Sequence, residues 1–169
     1  MLKRGWLVCI ALICLFPPSV YSQDAKKVAV LPFRINAQED LAYLATEIPK
    51  LIKNSLKSEG AVIVEPDPAD ILAWTDTHTD ELDAKRIGLK HGLDFIVWGS
   101  LTRIGQKLSL DAKVIEPFTE EETSTFFLAV EGIENLLVSV QKLSRDIGFK
   151  LFDRARVVEI VITGNKRIE

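Results

Sequence analysis

Val28-Ala29-Val30-Leu31 is an unbroken apolar run closed by Pro32. Such a run predicts a strand buried on both faces, central in its sheet and flanked by parallel neighbours. The spacing then changes to three and four. Leu41, Leu44, Ala45, Ile48, Leu51, Ile52, Ser55 and Leu56 share one side of a predicted helix. Pro49 removes a backbone donor inside it, so a kink or break is expected there. Gly60 ends the segment, and Ala61-Val62-Ile63-Val64 reads as a second strand. Asp67-Pro68-Ala69-Asp70 opens a short helix through Trp74: Asp67 suits the cap, Pro68 the first helical position and Asp70 the free donors. Another helix runs from Asp80 to about His91 and stops at Gly92. Phe95-Ile96-Val97-Trp98 makes a third buried strand, and Ile104-Gly105-Gln106-Lys107 a two-residue hairpin turn.

Beyond that turn the period is two. Leu108, Leu110, Ala112 and Val114 alternate with Lys107, Ser109, Asp111 and Lys113, so one face of this strand meets water. An acidic loop follows over Pro117 to Thr123, then a fifth strand over Ser124 to Val130. A long helix, about Gly132 to Arg154, aligns Ile133, Leu136, Leu137, Val140, Leu143, Ile147 and Leu151. The order β-α-β-α-β-β-β-α implies an α+β fold, an α/β-like sandwich in which a mixed sheet of about five strands is covered by helices. The tail, Val157 to Thr163, then Gly164-Asn165, reads as a further strand and a turn that tolerates left-handed backbone. Two expectations stand for it: it opens a new unit, or it joins the edge of the preceding sheet.

The beginning of the chain alters the composition. Lys3 and Arg4 precede ten apolar residues, Leu7 to Phe16, which Pro17-Pro18 ends. This is the layout of an export signal cut between Ser22 and Gln23; ten apolar residues reach only about half the roughly 20 a membrane span needs. The whole chain has 169 residues, 47% hydrophobic, with a net charge of −3. Without the first 22 residues, 147 of the 169 remain, and Lys+Arg falls from 21 to 19 against 24 Asp+Glu. Cys9 and Cys14 leave with the signal, so the remainder is cysteine-free, acidic and held by packing alone. That balance suits a bacterial periplasmic protein and offers no basic stripe for nucleic acid.

Candidate chemistry is sparse. His78 and His91 are the two histidines, too few for a structural zinc site without cysteines. No serine lies in a Gly-x-Ser-x-Gly setting, and Gly88, Gly92, Gly99 and Gly105 form no phosphate cradle. Glu120-Glu121-Glu122 offers carboxylates for a hard cation or a solvated turn. Asp67, Asp70 and Asp76 offer an acid–base pair, although capping accounts for the first two. Trp74 and Trp98 offer stacking surfaces but lie in apolar segments that suit a core. Neither an enzyme nor a cofactor is expected.

Two stretches carry family resemblances. Val28-Ala29-Val30-Leu31-Pro32-Phe33 together with Gly92-Leu93-Asp94-Phe95-Ile96-Val97-Trp98-Gly99 resembles the x-V-L-P-F and G-x-D-x-x-V-x-G strands of the TolB amino-terminal domain, over about residues 26–155. These are packing residues, so no functional residue carries over. The tail Val158-Glu159-Ile160-Val161-Ile162-Thr163-Gly164-Asn165-Lys166-Arg167 is similar to the opening of a POTRA repeat of BamA-like outer-membrane assembly proteins. After the signal over 1–22, the resemblances imply a TolB-like domain over 26–155 and a truncated repeat over 157–169. They imply a periplasmic scaffold, associated with the outer membrane only through a barrel absent from this sequence. Its partners would be envelope proteins or unfolded outer-membrane clients. Val158, Ile160 and Ile162 would form a β-augmentation edge, and Gly164 and Asn165 a structural turn.

Overall fold

The computed structural model describes residues 25–38, 40–76 and 80–152. The chain forms β1 (Lys27–Val30), β2 (Arg34–Asn36), α1 (Leu44–Ser58), β3 (Val62–Ile63), α2 (Pro68–Asp76), α3 (Glu81–His91), β4 (Phe95–Ile104), β5 (Lys107–Ile115), β6 (Ser124–Glu131) and α4 (Ile133–Leu151). The strands lie in the order β3-β1-β4-β5-β6, with β2 also on β4. β3, β1, β2 and β4 run parallel, and β5 and β6 turn back antiparallel. The α+β fold with a mixed sheet agrees with the hydrophobic pattern. Its sixth strand, β2, is too short and too polar to show a period.

The strand periods decide which helices cover which face. Val28 and Val30 join Phe95, Val97, Leu108 and Leu110 under α1 and α4. Ala29 and Leu31 join Ile96, Trp98 and Ile115 on the other face, under Trp74 of α2 and Ala84 and Ile87 of α3. Thus β1 is buried on both faces, whereas β5 is covered on one, as its alternation predicts.

Of the kink or break expected at Pro49, the break does not occur; α1 runs through it. An uninterrupted helix would have the residue 49 amide donate to the Ala45 carbonyl. The Phe33 N–H donates to that carbonyl instead, at 3.1 Å. The lost internal bond becomes a tertiary bond between α1 and the segment joining β1 to β2. The predicted helix stop and hairpin turn are present: Gly92 ends α3 at φ 60°, and Gly105 turns the β4–β5 hairpin at φ 62°. Among the described residues no helix is long and apolar enough to cross a membrane.

Candidate functional site

Asp67, Asp70, Lys90 and His91 form one connected group of ionisable side chains. The Pro68 start of α2 positions both aspartates, and Lys90 and His91 occupy the last turn of α3, where positive charge favours the helix dipole. The Lys90 Nζ donates to Asp70 Oδ2 at 2.7 Å and lies 3.3 Å from Asp67 Oδ2. The His91 Nε2 is also 2.7 Å from Asp70 Oδ2. Three potential metal ligands, Asp67, Asp70 and His91, thus converge within 4.8 Å. The Lys90 ammonium pairs with both carboxylates and offsets one of their two charges, so the arrangement ties two helix ends together.

Hydrogen bonds from Lys90 and then His91 hold the Asp70 carboxyl below the ordinary carboxylate range, against a smaller opposing effect of burial. The same Asp70 contact raises Lys90. A depressed carboxyl contributes stability above its unfolded pKa and loses it as pH falls through the folded value. Asp70→Asn is therefore expected to lower the melting temperature at neutral pH by about 1–3 °C. The difference should shrink below about pH 4, as the wild-type carboxyl itself protonates. Melting curves from about pH 2 to 7 check this; a difference that stays constant to the lowest pH would exclude the ionised clamp.

The other chemical candidates also meet structural partners. Trp74 and Trp98 pack edge to face, with ring centroids 6.4 Å apart, and the Trp74 Nε1–H donates to the Pro32 carbonyl at 3.0 Å. They are 2% and 3% exposed, so neither offers a stacking surface. In the acidic loop, Glu121 pairs with Lys150 at 3.2 Å, and Glu120 lies 3.8 Å from Lys85. Lys85 also donates to the Thr119 carbonyl at 3.2 Å. The loop is clipped to α3 and α4. Asp76 ends α2 and does not join the Asp67–Asp70 group. His78 lies outside the described residues, as do Ser22, Gln23, Val158, Ile160, Ile162, Gly164 and Asn165.

Sequence reasoning passed over Asp94. Its Oδ2 accepts from the Lys27 N–H at 2.7 Å, and its own N–H donates to the Lys27 carbonyl at 2.9 Å. This reciprocal pair pins the start of β1 to β4. The G-x-D-x-x-V-x-G pattern becomes physically legible here. Gly92 caps α3, Asp94 sets register, Val97 fills the core and Gly99 lets β5 approach.

A cleft of about 450 Å³ opens where α4 ends, lined by Lys26, Glu59, Phe95, Glu116, Lys150 and Phe152 among others. A second hollow, about 510 Å³, lies across β4, β5 and β6 beside Ile104, Phe127 and Ala129.

No protein-family model matches the sequence, and no curated protein matches it. Solved structures do match the fold. The chain is similar to lipoprotein GNA1162 from Neisseria meningitidis, with 12% identity and a TM-score of 0.50 over 72% of this chain and 96% of that one. It is also similar to the LpoB C-terminal domain from Escherichia coli, at 16% identity and a TM-score of 0.48, covering 63% of this chain and 83% of that one. TolB from Acinetobacter baumannii matches at 12% identity and a TM-score of 0.48, over 78% of this chain and 28% of its own. At such identities the likeness is one of fold.

Proposed function

We propose that this chain is a non-catalytic protein-interaction module of the bacterial periplasm, the amino-terminal region of an outer-membrane β-barrel assembly factor. Residues 1–22 are its removed signal, 26–155 its docking domain and 157–169 the opening of a POTRA-like repeat. The observation that carries the reading is the structural engagement of the chemically capable side chains among the described residues. Asp70, Lys90 and His91 join two helices, and both tryptophans are enclosed. What the domain leaves outward, exposed apolar side chains such as Ile104 and Phe127 and the edge of β6 left free among the described residues, suits the recognition of another protein. The basic-then-apolar beginning and the Gly164-Asn165 tail support export and assembly in that order. The acidic balance disfavours phosphate backbones as partners. The clients are envelope proteins or unfolded outer-membrane proteins, bound without a cofactor.

The test is expression with the native amino terminus, followed by binding of a urea-unfolded porin to the recovered protein. Recovery from the periplasm beginning at Gln23, and retention of the unfolded but not the folded porin, are the expected results. Deleting residues 157–169 should leave the melting temperature nearly unchanged, because they belong to the following unit. Cytoplasmic retention, or no preference for unfolded porin, would count against the reading. A large drop on deletion would instead favour a freestanding domain whose last strand completes its own sheet.

A further inference from the structure

β6 ends the sheet. Among the described residues it pairs only with β5, which leaves the backbone groups on its outer side available to another strand. One bond sets the parity of that row: the Gly132 N–H donates to the Gln106 carbonyl at 3.0 Å, continuing the β5–β6 ladder. Even-numbered residues of β6 therefore turn their backbone groups toward β5. Thr125, Phe127, Ala129 and Glu131 turn theirs outward. Their side chains lie on the face opposite α4, because Phe126, Leu128 and Val130 pack into the α1–α4 core. There Phe127 stands 64% exposed beside the hollow of about 510 Å³, whose walls include Thr102, Ile104, Ser109 and Ala129.

The topology disfavours the chain's own continuation at this edge. β6 runs parallel to β1, and α1 and α4 cover the same face. A parallel strand placed outside β6 after α4 would cross that face in the direction opposite to the β1–α1–β3 unit. The two crossovers would then have opposite hands, whereas about 98% of such connections are right-handed. A strand added at this edge would therefore come from another chain.

We propose that it comes from a second copy, joined β6 to β6 across a two-fold axis normal to the sheet. Antiparallel pairing requires outward-turned residues to face one another. The register that pairs all four outward-turned residues places Phe127 opposite Ala129 of the second copy, Thr125 opposite Glu131, and Leu128 on the axis. A large side chain then meets a small one. Thr102, Ser109 and Ala129 share one cross-strand row, so Phe127 enters the hollow that this row lines. Charge also matches. Lys113 flanks Thr125 and has no ion-pair partner among the described residues; the register brings Glu131 of the second copy toward it. The two-fold axis supplies both matches twice, as an isologous contact requires.

Sedimentation velocity over about a hundredfold range of concentration should show a reversible monomer–dimer equilibrium. Phe127→Asp should weaken it at least about tenfold while leaving the melting temperature nearly unchanged. Lys113→Glu and Glu131→Lys should each weaken it, and the double variant should return to within about threefold of wild type. With Cys9 and Cys14 changed to serine, Leu128→Cys should form a disulfide dimer on oxidation, because Leu128 meets its own copy. A monomer at every concentration would overturn the proposal. So would a dimer indifferent to Phe127→Asp and to charge reversal.

Discussion

Trp74→Ala is expected to destabilise the protein by about 3–5 kcal/mol, among the largest losses one side chain can cause. The indole fills the core beneath α2, which is short and has Trp74 as its single buried residue. Three contributions disappear together. The buried ring surface becomes a cavity, the edge-to-face contact with Trp98 is lost, and the Pro32 carbonyl loses the Nε1–H donor. Trp74→Phe should cost less, since a ring remains and only the donor and part of the volume go. Denaturant titration distinguishes these cases: the alanine variant should show a lower midpoint with an unchanged slope. A loss below about 1 kcal/mol would mean that α2 does not close this face of the sheet.

Gly99→Ala should cost about 2–3 kcal/mol or more, although it adds a single methyl group. A Cβ at this position would overlap the Asp111 carbonyl of β5 and the Phe33 ring. Gly99 sits opposite Ala112 in the β4–β5 ladder, so relief requires parting two central strands. Phe33→Leu removes the ring but not the carbonyl. The double variant should therefore recover only part of the loss. Thermal unfolding of the two single variants and the double variant measures this directly. Full recovery would locate the obstruction in the ring alone.

Gly99 lies within the motifs that resemble TolB-type strands, and Trp74 packs on Trp98 and bonds to Pro32 of the same motifs, so both predictions assign those motifs to packing. Asp94 belongs with them. Its reciprocal bonds with Lys27 are a matter of register, which explains an acidic residue directly before a buried strand. The clamp of Asp70, Lys90 and His91 differs in kind. Helix-end rules account for each residue separately, Asp70 at a start and the basic residues Lys90 and His91 at a stop. Nothing local says that one helix start meets the other helix's end. That meeting depends on how α2 and α3 lie across one face.

What the sequence by itself determined is what local periodicity encodes. It includes the helices α1, α3 and α4, the doubly buried β1, the half-wet β5, the Gly105 turn and the Gly92 stop. These follow from which side of an element meets water and from which residues accept left-handed backbone. Tertiary structure alone decided the rest. It replaced the bond missing at Pro49 with one from Phe33, and it recruited β2, whose three residues carry no period. It also left β6 at a rim with its outward row unpaired among the described residues. Each of these outcomes joins residues far apart in sequence. Their cause is hydrogen-bond satisfaction and close packing in space, and neither leaves a repeat along the chain.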